Sequence, residues 1–285
     1  METGRVTSPG AEEDLGKEFR VLDRGFVRLV NYMGDDSSIV QAARVSYGAG
    51  TKKAHEDRGL IRYLMRHRHT TPFEMVEFQW HVKLPIFVAR QWIRHRTANV
   101  NEYSGRYSVM KEEFYIPNED RVQLQSQSNK QGSEGEVSPE LRERFLSVLL
   151  VDAQLNFDHY KEFEQSDIAR ELVRIGLPLS TYTEWYWKID LHNLFHFLNL
   201  RLDKHAQEEI RLYSEVMANT VKKAMPVAYE AFEDYVLNSV SLSGLEIEVI
   251  KGVLNGNPFN AALENSELSK REKTEFLEKW RKLSV

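Results

Sequence analysis

The chain predicts a mixed α/β fold of the α+β type, on three observations. Residues 76–84 alternate apolar and polar side chains without a break, the mark of a strand with one buried face. Residues 181–189 are β-branched and aromatic, which suits another strand. Other long segments carry apolar residues at helical spacing, with helix-capping residues in front of them. With 285 residues, 41% of them hydrophobic, the chain can bury a sizeable core in one or two domains.

Residues 1–17 mix Gly, Ser, Pro and Glu and are expected to be a disordered lead-in. A main domain is expected over 18–238. It begins with two strand pieces in 19–33, joined at Asp23-Arg24-Gly25. Ser37 or Ser38 is expected to cap a helix carrying Ile39, Val40, Ala43 and Val45. A second helix over 56–66 places Leu60, Ile61, Leu64 and Met65 on one side. After the strand 76–84, Pro85 suits the first turn of a helix running to Ile93, and a loop follows. Residues 118–138 are rich in Gln, Ser, Asn and Gly and are expected to be a flexible insertion.

Ser138-Pro139 opens a long helix whose buried face is expected to be Leu141, Phe145, Val148, Leu149 and Leu155. A helix with Ile168, Leu172 and Arg174 must stop before Pro178. Asp190 can cap a helix over 191–200, and Asp203 one from 204 to about 225. Residues 239–285 are expected to be a helical extension. There Ser269-Lys270-Arg271-Glu272 is a capping box, opening a helix with Phe276, Leu277 and Trp280 on one side.

Composition excludes several classes. The absence of cysteine rules out disulfides, cysteine-held zinc, iron–sulfur clusters and a cysteine nucleophile. The net charge of -5 gives no whole-chain footprint for duplex nucleic acid. No apolar run has the length of a membrane span, and the polar start does not look like a signal peptide, so a cytoplasmic protein is expected.

Against this acidic background the run Arg94 to Arg106 gathers cations, amide and hydroxyl donors and one carboxylate, as a phosphate site would. Arg174 and Arg201 sit among apolar neighbours, where a permanent charge needs a partner. Ser104 lacks a Gly-x-Ser-x-Gly elbow and suits hydrogen bonding better than nucleophilic attack. His192 and His196, four apart with His205 nearby, have metal-ligand spacing. The segment reads His-Asn-Leu-Phe-His without the zincin Glu, so two rim histidines and no metal are favoured. In His67–Glu74, Thr70 or Thr71 could cap the turn before Pro72, and its amides could receive a phosphate.

These segments together resemble the flavin-dependent thymidylate synthases. Arg94-His95-Arg96, then seven residues, then Ser104, matches that family's signature. It is extended by Pro85-Ile86-Phe87-Val88-Ala89-Arg90-Gln91-Trp92 before and Asn101 to Ser108 after. His69-x-Thr71-Pro72-Phe73-Glu74, Arg174-Ile175-Gly176-Leu177-Pro178 and Phe197 to Gln207 are similar too, in the same order.

The resemblance implies a curved, mainly antiparallel sheet flanked by helices, and a homotetramer whose active sites are shared between protomers. It implies reductive methylation of dUMP to dTMP, with 5,10-methylenetetrahydrofolate as carbon donor and NADPH reducing a tightly bound FAD. A flavin route needs no cysteine nucleophile. By position, Arg201 would be catalytic, contacting the uracil. Gln91, Trp92, Ile93, Arg94, Glu102, Tyr103, Ser104, Gly105, Arg106 and Arg174 would join it at dUMP. Thr71, Arg94, His95, Arg96, Glu102, Asp190, His192 and His196 would serve FAD, with His69 near flavin and folate. No nucleic acid or membrane partner is implied. Asn99, Asp190 and His196 depart from the residues many members carry there. Two readings from other classes stay open: a single-strand binder stacking bases on Trp92, Tyr103 and Tyr107, and a metal-dependent hydrolase on His192 and His196.

Overall fold

The computed structural model describes residues 5–45, 54–126 and 132–284. The first four residues of the expected lead-in and 127–131 of the expected insertion lie outside them. The chain divides into two compact units, Met1–Glu233 and Asp234–Val285, where the sequence reading sets the boundary after 238.

The lead-in is structured. Helix α1 (Pro9–Asp14) is capped by the Ser8 side chain, and Ala11 is fully buried. Ser8 Oγ also donates to the Ala224 carbonyl at 2.7 Å. Its Ser-Pro start is the same helix signal as Ser138-Pro139, hidden here in a short segment of polar composition.

Strands β1 (Glu18–Val21) and β2 (Gly25–Met33) form the expected hairpin. Helix α2 (Asp36–Val45) follows, but its N-terminal amides are held by Asp35, which accepts from Ser37 and Ser38. The cap therefore precedes both serines, because a carboxylate one residue earlier reaches the same amides. Helix α3 (Ala54–Arg66) leads to β3 (Glu77–Pro85), and α4 (Ile86–Trp92) starts directly from it. Pro85 stands at the N-cap, one position earlier than expected.

The following loop contains a short edge strand, β4 (Asn99–Glu102). The insertion is not wholly irregular either: Glu119–Arg121 form a helical turn, and β5 (Gln123–Gln125) pairs with β6 (Ser133–Glu136). Polar composition there hides a hairpin whose order comes from tertiary hydrogen bonds. Helix α5 (Pro139–Gln165) has the predicted cap, Ser138 accepting from the Leu141 amide. Its buried residues are Ala153, Phe157 and Tyr160. The expected buried stripe is not covered by this chain: Leu141, Phe145, Val148 and Leu155 are exposed.

Helix α6 (Arg170–Val173) and the turn Arg174–Gly176 precede β7 (Tyr182–Asp190), and α7 (Leu191–Arg201) has the predicted Asp190 cap. Helix α8 (Glu208–Ala224) starts later than expected. Asp203 instead closes a turn, accepting from the His205 amide and ring. Helix α9 (Pro226–Phe232) completes the first unit.

The sheet is five-stranded and antiparallel, in the order β1-β2-β3-β7-β4. Register places Phe78 opposite Ile189, Trp80 opposite Trp187 and Val82 opposite Trp185. Paired residues share a face, so these six side chains make one buried apolar surface. The other face pairs Glu77 with Lys188 at 3.0 Å and His81 with Glu184 at 3.1 Å.

In the second unit α10 (Gly244–Leu254), α11 (Phe259–Glu264) and α12 (Lys270–Leu283) enclose a core of Val249, Leu263, Leu268 and Phe276. The predicted capping box at Ser269 is formed, and Leu277 and Trp280 pack on that core.

Candidate active site

Helix α4 is anchored by its last residue. Trp92 is fully buried, with ring centroids 5.7 Å from Trp185, 5.3 Å from Trp187 and 4.7 Å from Phe197. The Trp92 ring belongs to the core and cannot serve as a stacking platform. Its effect is on the backbone: the Trp92 carbonyl accepts from the His95 amide at 3.0 Å. Arg94-His95-Arg96 thus leave a fixed stem. Under this loop lies a cavity of about 180 Å³, lined by Trp92, His95, Arg96, Val100, Trp185 and Trp187 among others.

Strand β4 pairs with β7 and carries the loop onward. Glu102 stands opposite Trp185, and its carboxylate accepts from the Thr183 hydroxyl at 2.8 Å. The Tyr103 amide donates to the Glu184 carbonyl and its hydroxyl to the Val109 carbonyl. Ser104, Gly105 and Arg106 then form a tight turn. The Ser104 carbonyl accepts from the Tyr107 and Ser108 amides, and its hydroxyl accepts from the Arg106 amide at 3.3 Å. Ser104 makes no hydrogen bond with a base among the described residues. Gly105 is buried against Arg174: a Cβ there would meet Arg174 Cδ at 3.3 Å and Met110 Sδ at 2.9 Å. Glycine lets the Met110 and Arg174 side chains approach the turn this closely; a larger residue would have to push them aside. Arg174 is exposed, contrary to what its apolar neighbours in sequence suggest, because Leu172 and Ile175 beside it are exposed too.

The C-terminus of α7 closes over the stem of the loop. Arg201 Nε donates to His95 Nε2 at 3.0 Å, and Arg201 Nη2 donates to the Gln91 carbonyl at 3.3 Å. Both acceptors are neutral. Burial, then the Arg201 and His196 charges, push His95 down to about 4. The ring is therefore neutral at pH 7, and accepting at Nε2 puts its proton on Nδ1. The His196 ring lies 5.9 Å from that of His95. None of Arg90, Arg94, Arg96, Arg174 and Arg201 makes an ion pair among the described residues, whereas Arg106 pairs with Glu171 and Arg170 with Glu164. Guanidinium groups without carboxylates suit anionic ligands.

The other expected residues fall elsewhere. Asp190 spends its carboxylate on the cap of α7, accepting from the Asn193 amide and side chain. His192 is half-buried one residue into the helix. Among the described residues no group of three or more His, Asp or Glu could hold a metal ion. Thr71 is exposed on a turn closed by main-chain bonds to Thr70 and Thr71; no threonine side chain caps it. His69 neighbours the Tyr63 and His67 rings. Neither residue hydrogen-bonds to the His95–Arg201 group.

Sequence reasoning missed Thr183, which holds Glu102, and a buried group around Glu209 that reaches Gln91 through Gln207. Gln207 lies in one of the segments already singled out. Nothing local marks Glu209, since its burial comes from elements distant in sequence.

Residues 28–227 match the family described as "Thymidylate synthase complementing protein". The chain is 55% identical over 263 residues to a flavin-dependent thymidylate synthase of Wolbachia pipientis wMel, covering 92% of each chain. It is 53% identical over 288 residues to the one of Rickettsia conorii, covering 96% of this chain and 97% of that one. Among solved structures it resembles the UMP/dUMP methylase PolB from Streptomyces cacaoi bound with 5-Br dUMP. There the TM-score is 0.68 and the identity 33%, over 77% of this chain and 99% of that one.

Proposed function

This chain belongs to the flavin-dependent thymidylate synthases, and we propose that its Arg94–Arg106 segment and the end of α7 hold dUMP and FAD side by side. The reaction is methylation of dUMP to dTMP. Bound FAD, reduced by NADPH, supplies the hydride, and 5,10-methylenetetrahydrofolate supplies the carbon.

The observation that carries the reading is Arg201, a half-buried cation with two neutral hydrogen-bond partners and no carboxylate. Its charge is left to act on a ligand. Beside the uracil it stabilises negative charge on the ring and favours the N3-ionised form, which makes C5 more nucleophilic. That role suits a chain without cysteine. Neutral His95 holds the guanidinium plane without cancelling its charge.

The donor set fits two phosphate-bearing ligands. Arg94 and Arg96 have no carboxylate partners and are free to meet the FAD diphosphate. The Ser104 hydroxyl and the exposed Arg174 guanidinium offer donors to the dUMP phosphate, and Arg106 joins them by exchanging its exposed ion pair with Glu171 for the phosphate. Glu102, oriented by Thr183, is an acceptor between the two groups. Asp190, His192 and His196 line the start and middle of α7 on the flavin side, while Thr71 and His69 serve from their separate turn.

Helix α5 supports a homotetramer with shared active sites. Leu141, Phe145, Val148 and Leu155 recur at helical spacing yet are 55%, 44%, 48% and 51% exposed. A second copy of the helix is the natural cover for such a stripe.

Purification and assay test the reading. The expected protein is yellow, and its dTMP formation requires dUMP, 5,10-methylenetetrahydrofolate and NADPH together. A colourless protein that takes up no FAD, or one that forms no dTMP with all three substrates, would overturn it.

A further inference from the structure

Glu209 lies in the first turn of α8 with its side chain only 5% exposed. Every contact on its carboxylate is a donor. Oε1 accepts from Arg121 Nε at 2.9 Å and from the Tyr115 hydroxyl at 3.3 Å. Oε2 accepts from Arg121 Nη2 at 3.2 Å and from Gln207 Nε2 at 2.7 Å. The fork of Arg121 thus fixes the carboxylate, and Arg121 Nη1 donates to Ser133 Oγ at 2.9 Å, tying in the β5–β6 hairpin.

A carboxylate only accepts, whereas an amide can present either end. Gln207 must therefore turn its NH2 to Glu209 and its carbonyl away. That carbonyl accepts from Gln91 Nε2. One N–H of Gln91 is in turn committed, and its carbonyl oxygen is left without a protein donor among the described residues. The Gln91 main chain meanwhile accepts from Arg201.

We propose that Glu209, clamped by Arg121, is a positioning residue that sets the polarity of the Gln207 and Gln91 amides, so that Gln91 meets dUMP as the acceptor for its 3′-hydroxyl, the donor that the nucleotide keeps when N3 is ionised. Through this relay the hairpin insertion is fastened to the nucleotide site. The inference rests on the reading of Gln91 as a dUMP contact. It adds residues outside that contact set and a direction to the bond.

The test uses the full-length, FAD-loaded enzyme and three variants. Gln91→Ala checks the contact itself. Glu209→Gln keeps the shape but lets the amide relay flip. Because Glu209→Gln leaves the Arg121 charge without its partner, the double variant Arg121→Met/Glu209→Gln removes both charges and protects the result against misfolding. The expected outcome is a dUMP Kd weakened about tenfold in all three, the upper scale of one neutral hydrogen bond. KM for dUMP should rise in proportion, with KM for NADPH and flavin content unchanged; a general structural defect would move those as well. Native dUMP affinity in the double variant, with weak binding by Gln91→Ala, would overturn the relay and leave the site reading standing. Native affinity in Gln91→Ala would overturn both.

Discussion

Arg201 and His95 define what single side chains contribute to this site. A guanidinium facing a carboxylate would be neutralised before any ligand arrived. Here it faces an imidazole nitrogen and a carbonyl, and its charge stays available. The arrangement depends on His95 remaining neutral. Its value is held at about 4 against an ordinary 6.5, so the unfolded chain takes up the proton first as pH falls. The stability tied to neutral His95 is present above pH 6.5 and is lost as pH drops toward 4. His95→Asn, which titrates nothing there, should therefore show a smaller fall in Tm between pH 6.5 and 4 than the native chain; an identical fall would contradict the assignment. The Arg-His-Arg signature is legible in the sequence because its residues are adjacent. The hydrogen bond from Arg201 to His95 is not, because α4 and α7 are brought together only by packing around Trp92 and Phe197.

Among the elements, strands β3 and β7 were the most legible, since strict alternation and β-branched, aromatic composition reflect the face they bury. Strand β4 left no such trace: all four of its residues are exposed, and only main-chain pairing to β7 makes it a strand. Yet β4 carries Glu102 to its place beside Thr183. Helix α5 was readable as amphipathic but not as to its cover. One part of it packs on its own chain through Phe157 and Tyr160, and the stripe from Leu141 to Leu155 does not. Phe145→Asp places a charge in that stripe. It should shift the proposed tetramer to smaller species at micromolar concentration, as read by light scattering on a sizing column. A variant that stays tetrameric would remove α5 from the interface. If the active sites are shared between protomers, the smaller species should also lose dUMP binding.

Over the whole molecule, the chain is acidic, and Arg94, Arg96 and Arg201 stand without a carboxylate partner among the described residues, which suits them to anionic ligands. No helix among the described residues is long and apolar enough to cross a membrane. The sheet unit and the helical unit 234–285 each have a core. In the latter Phe276 is fully buried, and Lys279 meets Glu246 at 2.8 Å. Phe276→Ala should cost about 3–4 kcal/mol in that core, read as faster amide hydrogen exchange across α10 and α12; unchanged protection would contradict it. The capping box at Ser269 makes α12 visible in the sequence, whereas α10 is not singled out there and the ordered start at Ser8 is hidden by its polar composition.

The central claim is that a forked, uncompensated guanidinium at position 201 activates the pyrimidine while the flavin is held by other residues. Arg201→Lys tests it most directly, with dTMP formation and flavin content measured on the same sample. Lysine keeps the charge but cannot bond His95 and the Gln91 carbonyl from two fixed nitrogens. Flavin should stay bound while turnover falls roughly a hundredfold, about 2.7 kcal/mol of transition-state stabilisation. Native turnover by the lysine variant, or loss of the flavin with the arginine, would contradict it.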